Sequence, residues 1–419
     1  MAQLRYLDLF AGAGGLSEGF IRAGFIPVSH VEMDAAACYT LKTRLAYKWL
    51  KAHGREQIYN DYLNGDITRD DFYAEVPNDV LSTVLNYEIS WDNIEEIFKK
   101  IDKNLKGGKI DLIVGGPPCQ AYSLIGRARD ENSMLGDKRN YLYVLYGEFL
   151  KRYKPKYFVF ENVLGLLSAK DTDEQLHFDK MRKLFKDCGY KTEYRQLNAA
   201  DYGVLQNRKR IILIGKYGAE QTFYPDIPRE EHRYMVAEIF SDLPSLQAGE
   251  GQIRPVETMD YRGTYLYESG IKQVNRQMVT FHCARPNTDQ DREIYRIAVS
   301  LWNEQKNRLS YVDLPEHLRT QKNMDSFLDR FKVVASNIEF SQTVVAHVAK
   351  DGHYFIHPDI EQNRSLTPRE LARLQTFPDD FFFESISDKA SRTPAFKQIG
   401  NAVPVCLAEK VARALKEIW

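Results

Sequence analysis

In Gly115-Gly116-Pro117-Pro118-Cys119-Gln120 a single thiol follows the apolar run IDLIVGG at 110–116. The paired prolines stiffen the backbone and fix the aim of that thiol. A buried, inert cysteine is the common case, but one held in a rigid turn after a strand is poorly suited to be packing filler. A thiol attacks as thiolate and needs a second group to make its electrophile reactive. Glu161-Asn162-Val163, at the end of the next apolar run, KYFVFEN, puts a carboxyl on the same edge; capping a following helix is its plainer role. Gln206-Asn207-Arg208-Lys209-Arg210 then introduces IILIGKY at 211–217. Alternation along a strand sets Arg208 and Arg210 on one side. Forked guanidinium bonds can hold a carboxylate, a phosphate or a base carbonyl, although basic residues on exposed strand edges are common.

A second constellation suits a cofactor. Ala11-Gly12-Ala13-Gly14-Gly15 removes side chains where backbone must approach a ligand and aims a helix N-terminus at it. The spacing departs from G-x-G-x-x-G, because the third glycine directly follows the second. About 20 residues on, IPVSHVEM ends on Glu32 and Asp34, and a carboxylate there, Glu32, can accept both ribose hydroxyls of an adenosine group. Asp66, in Asn64-Gly65-Asp66-Ile67, could accept an adenine amino proton while Ile67 and Phe10 cover the ring; an ordinary turn aspartate is the alternative. After Cys119, AYSLIGRARDENSMLGDKRNYL carries Gly126 and Gly136 with Arg127, Arg129, Lys138 and Arg139, a pattern that fits a phosphate-seeking lid.

These groups need a frame. LRYLDLF, the glycine turn and then Leu16, Phe20 and Ile21 at helical spacing read as strand, turn and helix; IPVSHVEM completes a βαβ unit. Helical stretches separate the later apolar runs, among them 176–188 with Phe178, Met181, Phe185 and Cys188 on one face, stopped by Gly189. Such alternation predicts an α/β fold with a mostly parallel, helix-covered sheet. The charged stretch from Thr68 to Lys109, with Trp91, reads as surface helices inserted between two strands. From about Gln221 to Asn363 the regularity fades into a second lobe, and IGNAVPVCLAEKVARALKEIW closes on an amphipathic helix.

At 419 residues the chain suits two lobes. Its net charge of -1 gives no global signal for nucleic acid, so any DNA-binding surface must be local. The five cysteines form no C-x-x-C pair, and no run approaches a membrane span, which predicts a soluble, intracellular protein.

DLFAGAGGLSEGF, GGPPCQAYS, ENV, QNRKR, RSLTPRELARLQTFPDDF and GNAVPV, in this order, resemble the motif set of the cytosine-C5 DNA methyltransferases of bacterial restriction-modification type. The resemblance covers Tyr6 to Gly215 and Arg364 to the C-terminus. It implies a Rossmann-like S-adenosylmethionine-dependent methyltransferase sheet in 1–220, a smaller irregular target-recognition domain in 221–391 that includes RSLTPRELARLQ, and a returning C-terminal helix in 392–419. It implies that a cytosine of double-stranded DNA is flipped out, that Cys119 adds to C6, and that Glu161 holds N3 and the amino group. By similarity Arg210 contacts the base carbonyl and Arg208 supports Glu161 or the backbone near it. Phe10, Gly12, Gly14, Gly15, Glu32, Met33, Asp66, Ile67, Pro118, Leu142, Asn401 and Val403 match cofactor positions, with S-adenosylhomocysteine as product and no metal. It further implies a cytoplasmic, nucleoid-associated monomer without membrane contact, with a cognate endonuclease as an optional, separate partner. Tyr122 stands where the family often has phenylalanine, Leu205 where proline is frequent, and Ile125 where some members carry a small polar residue.

A tRNA-acting branch would share the chemistry, but the middle lobe of roughly 140 residues suits base reading in a groove. A nicotinamide-dependent dehydrogenase would leave Cys119 and Glu161 unused, and a silent relative should have lost them.

Overall fold

The structure is a computed structural model that describes residues 3–118, 142–231 and 233–419. Seven strands form its main sheet: β1 (Arg5–Leu9), β2 (Ile26–Glu32), β3 (Val84–Asn86), β4 (Leu112–Gly115), β5 (Tyr157–Asn162), β6 (Tyr190–Asn198) and β7 (Lys209–Tyr217). Their order is β3-β2-β1-β4-β5-β7-β6. The first five run parallel, while β7 lies antiparallel to both β5 and β6. The chain moves outward from β1 to β3 and then restarts on the other side at β4. That reversal opens a crevice at the carboxyl ends of β1 and β4, where open α/β sheets bind ligands.

Alternate side chains of the central strands enter different cores, which is why these strands read as unbroken apolar runs. Leu7, Leu9, Ile113, Phe158 and Phe160 face the helices Ile94–Leu105, Leu142–Tyr153 and His177–Asp187. Tyr6, Leu112, Val114, Tyr157 and Val159 face the opposite layer. There α1 (Gly15–Arg22) lies against the C-terminal helix Val405–Glu417. A Cβ on Gly19 would stand 2.5 Å from the Ala408 Cβ and from the Glu409 nitrogen, so this glycine sets how closely the two helices approach.

The stretch from 68 to 109 corrects an expectation. It contains helix Arg69–Ala74, capped reciprocally by Thr68 and Asp71, but also β3 and the helix Ile94–Leu105, whose Ile97, Phe98 and Ile101 are core residues. It is therefore part of the sheet and of one covering layer. The helix after β2, α2 (Ala35–Ala52), starts on Asp34, whose carboxylate accepts from the backbone of Ala36 and Ala37.

Beyond β7 the chain forms short helices and two two-stranded ribbons. Helix Asp289–Gln305 gathers a separate small core with Tyr311, Leu314, Leu318 and Phe331. Helix Pro368–Leu374 shares a larger core with Tyr47, Tyr59 and Phe72 on one side and Val236, Leu266 and Phe281 on the other. It pins the irregular region to the flank of the sheet.

Candidate active site

Each glycine of the first turn has its own reason. Phe10, Gly12 and Gly14 all have positive φ, at 57°, 54° and 84°, which turns the chain sharply off β1. Nothing lies within 4 Å of a Cβ built on Gly12, so the turn faces open space there. On Gly15 a Cβ would stand 2.4 Å from the carbonyl oxygen of Val403 and 3.1 Å from the Ala402 Cβ; this glycine lets the GNAVPV segment close on the start of α1. Val403 is accordingly buried, while Asn401 before it is exposed.

Glu32 ends β2 and accepts 2.8 Å hydrogen bonds from the backbone N–H of Gly12 and of Asp34, one on each carboxylate oxygen. Burial pushes its carboxyl up, and these N–H bonds only partly offset the rise. Met33 beside it is exposed, at 61%. Phe10 and Leu142 both flank the core under the crevice.

Asp66 and Ile67 do not reach a strand end. They follow the helix Glu56–Asn64, whose C-cap is Gly65; the Asp66 backbone donates to the Asp61 carbonyl, and Ile67 packs into the core around Tyr62 and Phe72. The residues beside Glu32 at the end of β3 are Asn86, which donates to the carbonyls of Glu32 and Met33, and Tyr87, whose N–H donates to the Glu32 carbonyl. The only signal for them in the sequence was the short apolar run before Asn86.

A second cluster forms because β7 runs backwards. Its first residues lie beside the last residues of β5, with Asn162 opposite Ile211 and Glu161 opposite Ile212. Arg210 Nε thereby comes 2.7 Å from Glu161 Oε1, each side chain only 13% exposed. The other Glu161 oxygen would lie 2.5 Å from a Cβ on Gly116, and Asn162 Nδ2 donates to the Pro117 carbonyl at 3.4 Å. The Gly116-Pro117-Pro118 turn thus rests against this carboxylate, with Pro118 partly exposed.

Arg208 parts from Arg210. It is buried, and its guanidinium donates to the carbonyls of Val344 (2.5 Å) and Gly400 (3.5 Å), joining β7 to the irregular region and to helix Arg392–Asn401. Gln206, fully buried, bridges Leu374, Gln375 and Val344 in the same seam. Sequence reading had left Gln206 without a role.

Cys119 and the segment 120–141 after it, with the expected lid residues, Tyr122 and Ile125, lie outside the described residues. The other four thiols are free, and burial raises each of them, Cys38 to about 12 and Cys283 to about 11. None of these four is poised as a thiolate.

With this geometry the comparisons agree. The family model described as C-5 cytosine-specific DNA methylase matches residues 4–82 and 78–417. The type II methyltransferase M.Bpa9945I of Bacillus paralicheniformis is 38% identical over 447 residues, covering 98% of each chain. M.DdeI of Desulfomicrobium norvegicum, also a type II methyltransferase, is 31% identical over 428 residues, covering 98% of this chain and 88% of that one. Among solved structures, a prophage-encoded protein of E. coli described as a DNA modification methyltransferase superposes with a TM-score of 0.64 at 22% identity, over 99% of each chain, a likeness of fold. The chain belongs to the C-5 cytosine-specific DNA methylase family, and its enzyme class is DNA cytosine-5 methyltransferase. The dehydrogenase reading of the glycine turn falls with that assignment.

Proposed function

We propose that the enzyme methylates C5 of a flipped cytosine in a specific duplex sequence, with S-adenosylmethionine as donor, through a covalent bond from Cys119 to C6. The observation that carries this reading is the Glu161–Arg210 pair set against the Pro117-Pro118 turn that leads into Cys119. Glu161 holds N3 and the amino group of the base, drawing electrons from the ring so that C6 accepts the thiolate and C5 becomes nucleophilic. Arg210 orients Glu161 through Nε and donates through Nη1 to the Lys209 carbonyl, which leaves Nη2 for the base carbonyl. Arg208 acts as a positioning residue that fixes the start of β7.

The crevice suits the donor: backbone opens onto free space at Gly12, a helix N-terminus follows, and Glu32 stands at the next strand end. Glu32 would take the ribose hydroxyls, and Met33, Phe10, Asn86 and Tyr87 would border the adenine, the last two in place of Asp66 and Ile67. Pro118, Leu142, Asn401 and Val403 would close the wall. When bound, the sulfonium supplies an electrophilic methyl group and no metal is required.

Residues 1–220 and 392–419 would carry the chemistry and 221–391 the target recognition, in a monomer working on cytoplasmic, nucleoid DNA. The names of the relatives support a role in restriction-modification, alongside a separately acting endonuclease. They also weigh against tRNA as substrate. Duplex DNA bearing 5-fluorocytosine tests the mechanism: fluorine cannot leave as the C5 proton does, so wild-type enzyme and donor should yield a covalent complex, and Cys119→Ala should not. An active enzyme that forms no complex would overturn attack at C6.

A further inference from the structure

A cavity of about 350 Å³ on the flank of helix Arg392–Asn401 plays no part in the chemistry above. Arg285, Lys350 and Arg392 line it, and among the described residues none of the three has a carboxylate partner. Arg285 donates to the carbonyls of Val348 and Lys350, its guanidinium carbon lying 4.4 Å from the centre of the Phe396 ring, and its Nε is buried without a partner. Arg392 donates to the Ala284 carbonyl. Carbonyl bonds and ring stacking fix the direction of a guanidinium without cancelling its charge.

Two carboxylates share the wall and are outnumbered by its three cations. Asp351 pairs with Arg330 and accepts from the His353 backbone N–H. Asp291 accepts from the Thr288 backbone N–H in the capping box of helix Asp289–Gln305. Helix Arg392–Asn401 also starts at this cavity, and its N-cap, Ser391, makes no side-chain bond, so its first N–H groups add to the positive wall. Burial presses the Arg285 guanidinium below its ordinary range, and the Arg392 charge adds to the effect. Three lining cations against two carboxylates, one of which is shared with Arg330, leave the wall positive, and with the helix N-terminus they form a receptor for a compact anion with several oxygens.

The other end of this ten-residue helix is Gly400–Asn401, where Arg208 holds the Gly400 carbonyl next to the candidate active site. At 1.5 Å per residue the cavity lies about 14 Å along the helix from that end, roughly four base-pair steps of duplex. We propose that this cavity seats one backbone phosphodiester of the DNA substrate, gripped by Arg285 and Arg392 with Lys350 at its rim, and so sets the register of the duplex relative to the flipped cytosine. The proposal rests on DNA being the substrate.

The test uses the wild-type enzyme and a duplex in which a single neutral methylphosphonate is walked along each strand, two to seven steps from the target cytosine. DNA affinity is followed against salt concentration. One linkage should weaken binding roughly tenfold and flatten the salt slope by about one unit. Lys350→Ala and Arg392→Ala should flatten the slope on ordinary DNA and add no loss at that linkage. The Lys350 side chain is exposed and its ammonium has no partner among the described residues, so its truncation leaves the fold intact. Unchanged slopes in variants that still methylate, or equal losses wherever the neutral linkage stands, would overturn the proposal. So would inorganic phosphate binding to wild type with the same affinity whether or not DNA is bound, which would make this a free-anion site. If the wild type neither binds nor methylates any duplex, the reading of DNA as substrate fails first.

Discussion

Adding one methyl group to Gly12 and to Gly15 asks two different questions of the same turn. At Gly12 the backbone has φ of 54° and open space beyond it, so alanine meets no clash and carries only the left-handed strain, about 1–2 kcal/mol. Its methyl group, however, would stand where the proposed donor would meet bare backbone. At Gly15 the new Cβ would lie 2.4 Å from the Val403 carbonyl oxygen, which forces the closing segment away at a cost of about 1–3 kcal/mol. Urea unfolding and calorimetric titration with S-adenosylmethionine separate the two. Gly12→Ala should lose cofactor affinity far beyond its small loss of stability, and Gly15→Ala should lose both. A Gly12→Ala enzyme with wild-type affinity would remove that face of the turn from the cofactor site. The three glycines were legible as a tight turn off β1, but the partner of Gly15 was not, because it lies almost 390 residues away in sequence.

At the level of elements, what sequence conveyed depended on length and direction. Strands β1, β2, β4, β5 and β7 are apolar over enough residues to be read directly, and Phe178, Met181 and Phe185 do form the buried face of helix His177–Asp187. β3 has only three residues, too few to show a period, so Asn86 beside Glu32 was not read and Asp66, which follows a helix C-cap, was. Alternation put Arg208 and Arg210 on one side, but nothing local says that β7 runs antiparallel or that Arg208 stands one residue before it, so that Arg210 meets Glu161 while Arg208 meets the carbonyls of Val344 and Gly400. RSLTPRELARLQ was read as part of the recognition lobe; it forms a helix whose charged side chains are buried. Arg373 bridges Asp242 and Asp379, Lys272 also holds Asp242, and Arg364 grips Glu370. Arg373→Met would remove the guanidinium that bridges two buried carboxylates, leaving Asp242 to Lys272 and Asp379 to a 3.9 Å contact with Arg369; it should destabilise the protein by about 3–5 kcal/mol, read from the urea midpoint. A loss under about 1 kcal/mol would show that the network adds no stability. Adding Asp242→Leu to Arg373→Met should deepen the deficit, because the buried Lys272 ammonium would lose its carboxylate.

For the whole molecule, pH is the variable that reaches every buried ionisable group at once. His30 and His357 are both held down to about 4; burial does this at His30, and burial outweighs the attraction of Glu370 at His357. An unfolded histidine titrates near 6.5, so between pH 6.5 and 4 the unfolded chain binds protons that these two residues refuse. Stability therefore falls as pH drops through that window, by up to about 3 kcal/mol for each histidine. Asp8, Glu32 and Glu384 pull the other way, because burial raises them and the folded state keeps their protons longer. The net curve thus mixes opposing slopes, and a difference measurement isolates one of them. His357 lies 3.7 Å from Glu370, accepts the Asp359 N–H and packs edge-on against Phe240. Burial pushes Glu370 up, but the Arg364 charge and hydrogen bonds outweigh it and hold the carboxyl far below its ordinary range, so Glu370 titrates outside the window. Subtracting the urea stability of His357→Asn from that of wild type at each pH should give a difference that is flat above about pH 7. It should then fall toward pH 4 by as much as about 3 kcal/mol. A difference that stays level across the window would mean that His357 is protonated in the folded protein, as a closer ion pair with Glu370 would require.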